Sequence, residues 1–231
     1  MIISSIEKRR GRRVDVYVDG RLALTLAGDF ATERGLRPGA TITPDQLSEL
    51  AEEGARRGAL EAGLRLLSYR LRSEEELRRR LTGKKFKRNA IDSALARLRE
   101  LGYLDDEAFA RYWAETRQAQ RPRSRRLLAS ELRSRGIDKE TAEQATADVS
   151  DVDAAYLAAS GKLRALRGQQ YQAFRERLGR FLTSRGFGYN IARQVIERCW
   201  AEREAAEDEA SKAPAVSPPP GPRGAVDRDD S

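Results

Sequence analysis

Apolar and polar residues alternate along VDVYVDGRLALTL, residues 14–26, with Val14, Val16 and Val18 in one phase and Leu22, Leu24 and Leu26 after the turn. A period of two is that of a half-buried strand. Asp19-Gly20 between the runs predicts a two-residue hairpin, because a type I′ turn needs positive φ at both central positions. With IISSIE ahead of it, the segment predicts a small antiparallel sheet of three strands. From residue 43 the period lengthens to that of a helix. Thr43-Pro44-Asp45-Gln46 offers an N-cap, a proline at the first helical position and a capping-box glutamine, with Ile42 and Leu47 as the flanking staple. Ser73-Glu74-Glu75-Glu76 repeats the capping-box signature before Leu77 and Leu81. Ile91, Leu95 and Leu98 then share one helical face that Gly102 ends.

The helical part repeats. Superposing Phe86, Ile137 and Phe187 places Leu77 and Leu81 on Leu128 and Leu132, then on Leu178 and Leu182. In the other direction Leu95 and Leu98 fall on Thr146 and Val149, then on Ile196 and Cys199. The offsets of 51 and 50 residues predict three copies of one unit of three short helices. Units of this kind stack into an elongated, curved rod. The expected fold is therefore mainly α. An N-terminal hairpin region and helix lead-in occupy 1–45, repeats occupy 46–102, 103–150 and 151–204, and a disordered acidic, proline-rich tail occupies 205–231.

LGYLDDEAFARYW, residues 101–113, sets Asp105, Asp106 and Glu107 side by side. As a metal site they are poorly arranged, since neighbouring helical positions point about 100° apart. As a helix start they each have a reason: Asp105 caps, Asp106 and Glu107 meet the positive end of the helix dipole, and Leu104 staples onto Phe109. Phe109 and Trp113, four apart, then stack on the apolar face. The cap reading is preferred, and a metal-dependent nuclease is the reading it displaces.

Inventory narrows the chemistry further. The chain has 231 residues, no histidine and one cysteine, Cys199. Histidine acid–base chemistry, Cys/His zinc sites and an intramolecular disulfide are excluded. No phosphate-binding loop of the G-x-x-x-x-G-K-[ST] type occurs, and Cys199 occupies a core position of the repeat. No catalytic group and no cofactor are expected. No apolar run is long enough to span a membrane, so the protein is read as cytoplasmic.

Charge supplies the positive signal. The formal net charge is +8, and it is unevenly spread: residues 56–100 hold 14 basic and 6 acidic side chains, and residues 117–139 hold 8 and 2. The loop KRRGRR between the first two strands adds another basic cluster, open to either solvent or phosphate. Arg78, Arg79, Lys84, Lys85, Lys87 and Arg88 in the first repeat are candidate contacts with a polyanion or an acidic surface. So are Arg121, Arg123, Arg125, Arg126, Arg133 and Arg135 in the second. Phe86, Phe109, Trp113, Phe181 and Phe187 read as core, so the pattern suggests backbone contact without base readout.

SYRLRSEEELRRRL, LGYLDDEAFARYW and ELRSRGI, in this order, resemble the RecX family of bacterial regulators of the RecA recombinase, a likeness running over about residues 1–200. The resemblance implies tandem three-helix repeats lying along a RecA–single-stranded DNA filament as a monomer. It also implies suppression of RecA's ATP hydrolysis and strand exchange, in recombination, DNA repair and the SOS response. The basic faces would meet filament DNA or acidic RecA surface, and bare DNA is a further partner. The alternative is a direct DNA-binding protein with helix-turn-helix-like units. One departure stands out: Lys84-Lys85-Phe86 occupies a place where RecX-like chains carry Lys-Gly before the aromatic, while Gly136 and Gly186 keep glycine in the other repeats. Lys85 is therefore expected to strain its helix end. A glycine often found before the second basic helix is also missing from RPRSRRLL.

Overall fold

The structure, a computed structural model, describes residues 1–212. Three strands, β1 (Ile3–Arg9), β2 (Arg13–Val18) and β3 (Arg21–Ala27), form one antiparallel sheet in the order β1-β2-β3. The hairpin turns on Asp19 at φ 48° and Gly20 at φ 79°, as a type I′ turn requires. The alternation is interrupted once. Val16 pairs with Leu24 but Tyr17 pairs with Leu22, so Ala23 is bulged and the side chains beyond it change face. Leu22, expected on the inner face, is instead 54% exposed.

Two helices close the sheet. The short α1 (Gly28–Glu33), which periodicity could not reveal in six residues, buries Phe30 among Ile3, Val16, Val18, Leu26 and Ile42. The long α2 (Pro44–Leu67) starts at the foreseen capping box: Thr43 Oγ1 accepts from Gln46 N at 3.1 Å and Gln46 Oε1 accepts from Thr43 N at 2.9 Å. Leu47 and Leu50 pack on the sheet core, whereas Leu60, Leu64 and Leu67 pack in the first repeat. Two glycines let α2 approach both. A Cβ at Gly54 would overlap Leu26, and one at Gly63 would lie 2.8 Å from Leu98 Cδ1.

The repeats follow as α2 with α3 (Glu74–Gly83) and α4 (Arg88–Glu100), then α5 (Asp106–Gln120), α6 (Arg125–Ser134) and α7 (Lys139–Gln144). The third comprises α8 (Asp151–Leu163), α9 (Tyr171–Ser184) and α10 (Tyr189–Lys212). Leu77, Leu81, Leu128, Leu132, Leu178 and Leu182, matched by the sequence superposition, are all fully buried. Thr146, the polar member of its set, is buried with its hydroxyl donating to Ala142 O at 2.9 Å, just beyond the shortened α7. Leu104 joins the core of the first repeat with Leu77 and Leu95, whereas Phe109 lies in that of the second, in place of the expected staple between them.

The chain divides into two compact units, Met1–Ala154 and a second that begins at Ala155. In the second, Phe174, Leu178, Phe187, Val195 and Cys199 are buried, and burial pushes the Cys199 thiol up to about 11. Helix α10 runs to Lys212, past the boundary expected at 204. The rest of the expected disordered tail, 213–231, lies outside the described residues.

The middle helix of every repeat ends in the same motif. Lys85 N donates to Thr82 O and Phe86 N to Leu81 O; Gly136 and Ile137 repeat this with Arg133 and Leu132, and Gly186 and Phe187 with Thr183 and Leu182. This is the Schellman pattern, which needs a left-handed residue between cap and hydrophobic anchor. Gly136 and Gly186 take it at φ 89° and 86°, and Lys85 is forced to φ 66°. Replacing Lys85 by glycine removes a conformation that costs a side-chain-bearing residue about 1 kcal/mol or more. Chemical denaturation of Lys85→Gly is expected to show a gain of about 1 kcal/mol. Gly136→Ala is expected to lose more than that, because its Cβ would also overlap Glu75 Cβ.

Candidate functional site

The three adjacent carboxylates go three ways. Asp105 Oδ1 accepts from Ala108 N at 2.9 Å and caps α5. Asp106 Oδ1 accepts from Glu74 N at 2.8 Å, so the first residue of α5 finishes the start of α3 in the preceding repeat. Glu107 faces Arg111 at 3.7 Å. The second joint is built alike: Asp151 Oδ1, at the start of α8, accepts from Arg125 N, the first residue of α6, at 2.6 Å. Among the described residues no group of three or more His, Cys, Asp or Glu side chains could hold a metal ion. Phe109 and Trp113 stack as expected, with ring centroids 6.1 Å apart.

Around the first joint the caps and charges interlock. Ser73 is buried; its hydroxyl accepts from Glu76 N at 3.2 Å and donates to Arg135 O at 2.6 Å, tying the start of α3 to the end of α6. Glu76, expected to return a capping-box bond, places its carboxylate between Arg135 and Arg70, the latter at 2.8 Å. The Arg135 guanidinium lies over Trp113, 3.6 Å from the ring centroid, with Arg117 at 4.6 Å. Glu131 takes Arg123 and, at 3.3 Å, Arg117.

Three of the candidate contact residues are engaged within the protein. Arg135 and Arg123 are half-buried in this network. Arg78 is held by Glu74 at 3.1 Å and by Asp92 across from α4; its hydrogen bond to Asp92 raises its pKa and lowers that of Asp92. Acidic partners placed one helical turn or one repeat away are invisible in a count of local charge. Arg79 and Arg88 are exposed but paired, with Glu75 at 2.7 Å and Asp92 at 3.7 Å. Lys84, Lys85, Lys87, Arg121, Arg125, Arg126 and Arg133 are exposed and, among the described residues, form no ion pair. Arg80, left off the candidate set, belongs with them.

The available cations thus lie at the end of α3 and its turn into α4, at the end of α5 and on the exposed side of α6. Such a surface can attract phosphates or carboxylates. Tandem three-helix units joined cap to cap define a helical-repeat protein. Comparison with known proteins places it further. Residues 59–98 match the first three-helix domain of RecX and residues 105–145 match the second. A Regulatory protein RecX of Clostridium botulinum (strain Eklund 17B / Type B) is 24% identical over 197 residues, covering 83% of this chain and 92% of that protein. Another, from Lactobacillus delbrueckii subsp. bulgaricus, is 28% identical over 213 residues, covering 90% and 77%. A crystal structure of regulatory protein RecX shares the fold with a TM-score of 0.60 at 22% identity, over 85% of this chain and 98% of that one. The chain belongs to the RecX family.

The joint makes a pH prediction. Burial raises the Asp106 carboxyl above its ordinary range, against the opposing bond from Glu74 N, and the nearby Glu74, Asp105 and Asp138 carboxylates add to the rise. As pH climbs from the ordinary carboxylate value through the raised one, the unfolded chain has released a proton that the folded chain still holds. This group's contribution to stability therefore falls across that window. Asp106→Asn keeps an acceptor for Glu74 N without the charge. Its unfolding free energy, relative to the parent, is expected to improve as pH rises through that window and to level off above it.

Proposed function

We propose that this protein is a non-enzymatic regulator that binds a RecA–single-stranded DNA filament and lowers RecA's ATP hydrolysis and strand exchange. The observation that carries this reading is that each of the first two repeats carries exposed, unpaired cations, Lys84, Lys85 and Lys87 in one and Arg125, Arg126 and Arg133 in the other. The relatives are named regulatory proteins, and RecA as the partner is what the resemblance to RecX-like chains implies. A filament offers phosphates and acidic protein surface along one path, which suits cations repeated along tandem units better than a single compact ligand does. In this reading the protein acts in the cytoplasm as a monomer, without a cofactor.

The test is binding of labelled protein to preassembled RecA–single-stranded DNA filaments and to the same DNA alone, across salt, with ATP hydrolysis followed in parallel. Tighter filament binding with falling hydrolysis is expected. Equal or tighter binding to bare DNA, with a salt slope near about −4 for about six single-strand phosphates, would reduce the effect on RecA to competition for DNA. Selective binding of one duplex sequence by a symmetric dimer would support the helix-turn-helix alternative instead. Charge reversal separates the two kinds of arginine. Lys84→Glu with Arg125→Glu is expected to weaken filament binding about tenfold or more at unchanged melting temperature. Arg135→Glu is expected to lower the melting temperature, because it sets like charges against Glu76 and vacates the Trp113 face.

A further inference from the structure

Helices α9 and α10 of the third repeat enclose an open cleft of about 420 Å³, within the roughly 300–1,000 Å³ range of small-ligand sites. Two tyrosines stand at it: Tyr189, the first residue of α10, is 68% exposed, and Tyr171 is braced edge-on by Trp200 with ring centroids 5.2 Å apart. The polar rim is strongly basic. Arg175 and Arg180 carry no acidic partner among the described residues, and Arg193, bonded to Glu197 at 2.7 Å, remains 63% exposed. The single carboxylate in the lining, Glu176, already accepts from Gln172 at 2.7 Å.

The first repeat is closed at the corresponding place, whereas the second holds Ala129 and Glu143 there and has no such bridge. At the offsets of 51 and 50 residues, Gly179 and Arg193 correspond to Arg78 and Asp92, whose ion pair bridges α3 to α4 across the same interhelical groove. In the third repeat the bridge is gone because Gly179 has no side chain and Arg193 stands where the first repeat has a carboxylate. Packing does not demand that glycine. A Cβ there would lie 3.7 Å from Ile196 Cδ1, an ordinary contact, unlike the overlaps at Gly54 and Gly63. A mid-helix glycine costs about 1 kcal/mol relative to alanine, and here the return for that cost is an open cleft.

We propose that this cleft binds a short stretch of single-stranded nucleic acid, with bases stacked on Tyr171 and Tyr189 and phosphates met by Arg175 and Arg193. Tyrosine faces accept any base, and three arginines against one engaged glutamate complement a phosphate backbone. The site is separate from the cations of the first two repeats and requires no RecA. It adds a base-dependent contact where those cations offer only charge.

The experiment measures anisotropy of a labelled oligothymidylate of about ten nucleotides and of an abasic strand of the same length, with the full chain. The base-bearing strand is expected to bind about tenfold tighter or more, and Tyr171→Ala/Tyr189→Ala to erase that preference without changing the salt slope. Arg175→Gln is expected to keep the preference and flatten the slope by about 0.7, the loss of one phosphate contact. Gly179→Arg/Arg193→Asp, which copies the closing ion pair of the first repeat, is expected to lose the preference at undiminished melting temperature. A preference that survives removal of both tyrosines overturns the proposal. So does binding of polyglutamate as tight as that of the oligonucleotide, which would mark the cleft as a seat for an acidic protein. Because no arm contains RecA, either result leaves the filament reading to its own test.

Discussion

A short helix cannot satisfy its own ends. Helices α3 and α6 are each ten residues long, so a large share of their backbone groups lies among the four N–H and four C=O positions that lack intrahelical partners. In water this would matter little, but Ser73, Leu77, Leu81, Ser124, Leu128 and Leu132 bury these helices almost completely along one side. The structure answers by completing each helix from outside. Ser73 and Ser124 cap the starts from within, Asp106 and Asp151 cap them from the next unit, and the Schellman turns close the ends. Each repeat therefore supplies what its predecessor lacks, and the order of the repeats is written into the backbone hydrogen bonds as well as into the apolar core.

The same economy governs charge. A strongly basic sequence suggests a broadly basic surface, but much of the arginine is consumed inside the protein. Arg135 holds Glu76 and covers Trp113, Arg123 meets Glu131, and Arg78 crosses from α3 to Asp92. Of the candidate contacts in the first two repeats, those that reach solvent unpaired lie in the turn after α3, at Arg121 and on α6. The candidate surface in these repeats is thus smaller than composition alone implies, and two arginines two residues apart, Arg78 and Arg80, differ in availability, the first held by Glu74 and Asp92 and the second exposed.

Much of this was legible in the sequence. The hairpin turn at Asp19-Gly20, the box at Thr43, the cap at Asp105, the superposed leucines and the strain at Lys85 all follow from local rules that need only neighbouring residues. The misses share a cause. The bulge at Ala23, the diversion of Glu76 to Arg135, the move of Leu104 into the first core and the pairing of Arg78 with Asp92 each depend on a partner brought close by tertiary structure. The candidate surface was legible to the level of segment, and its individual members were not, because an arginine's neighbours in sequence do not reveal which carboxylate folding will set beside it. The third repeat was the least transparent. There the telling residue is a glycine, which leaves no mark on charge or hydropathy.

One feature of the N-terminal unit reaches beyond local packing. Helix α2 runs unbroken for 24 residues, about 36 Å, with its first turns fixed to the sheet and its last turns inside the first repeat. It acts as a strut. Because one helix contributes to both apolar cores, the sheet and the first repeat share an element of secondary structure, and the β-sheet is less a separate domain than an extension of that repeat.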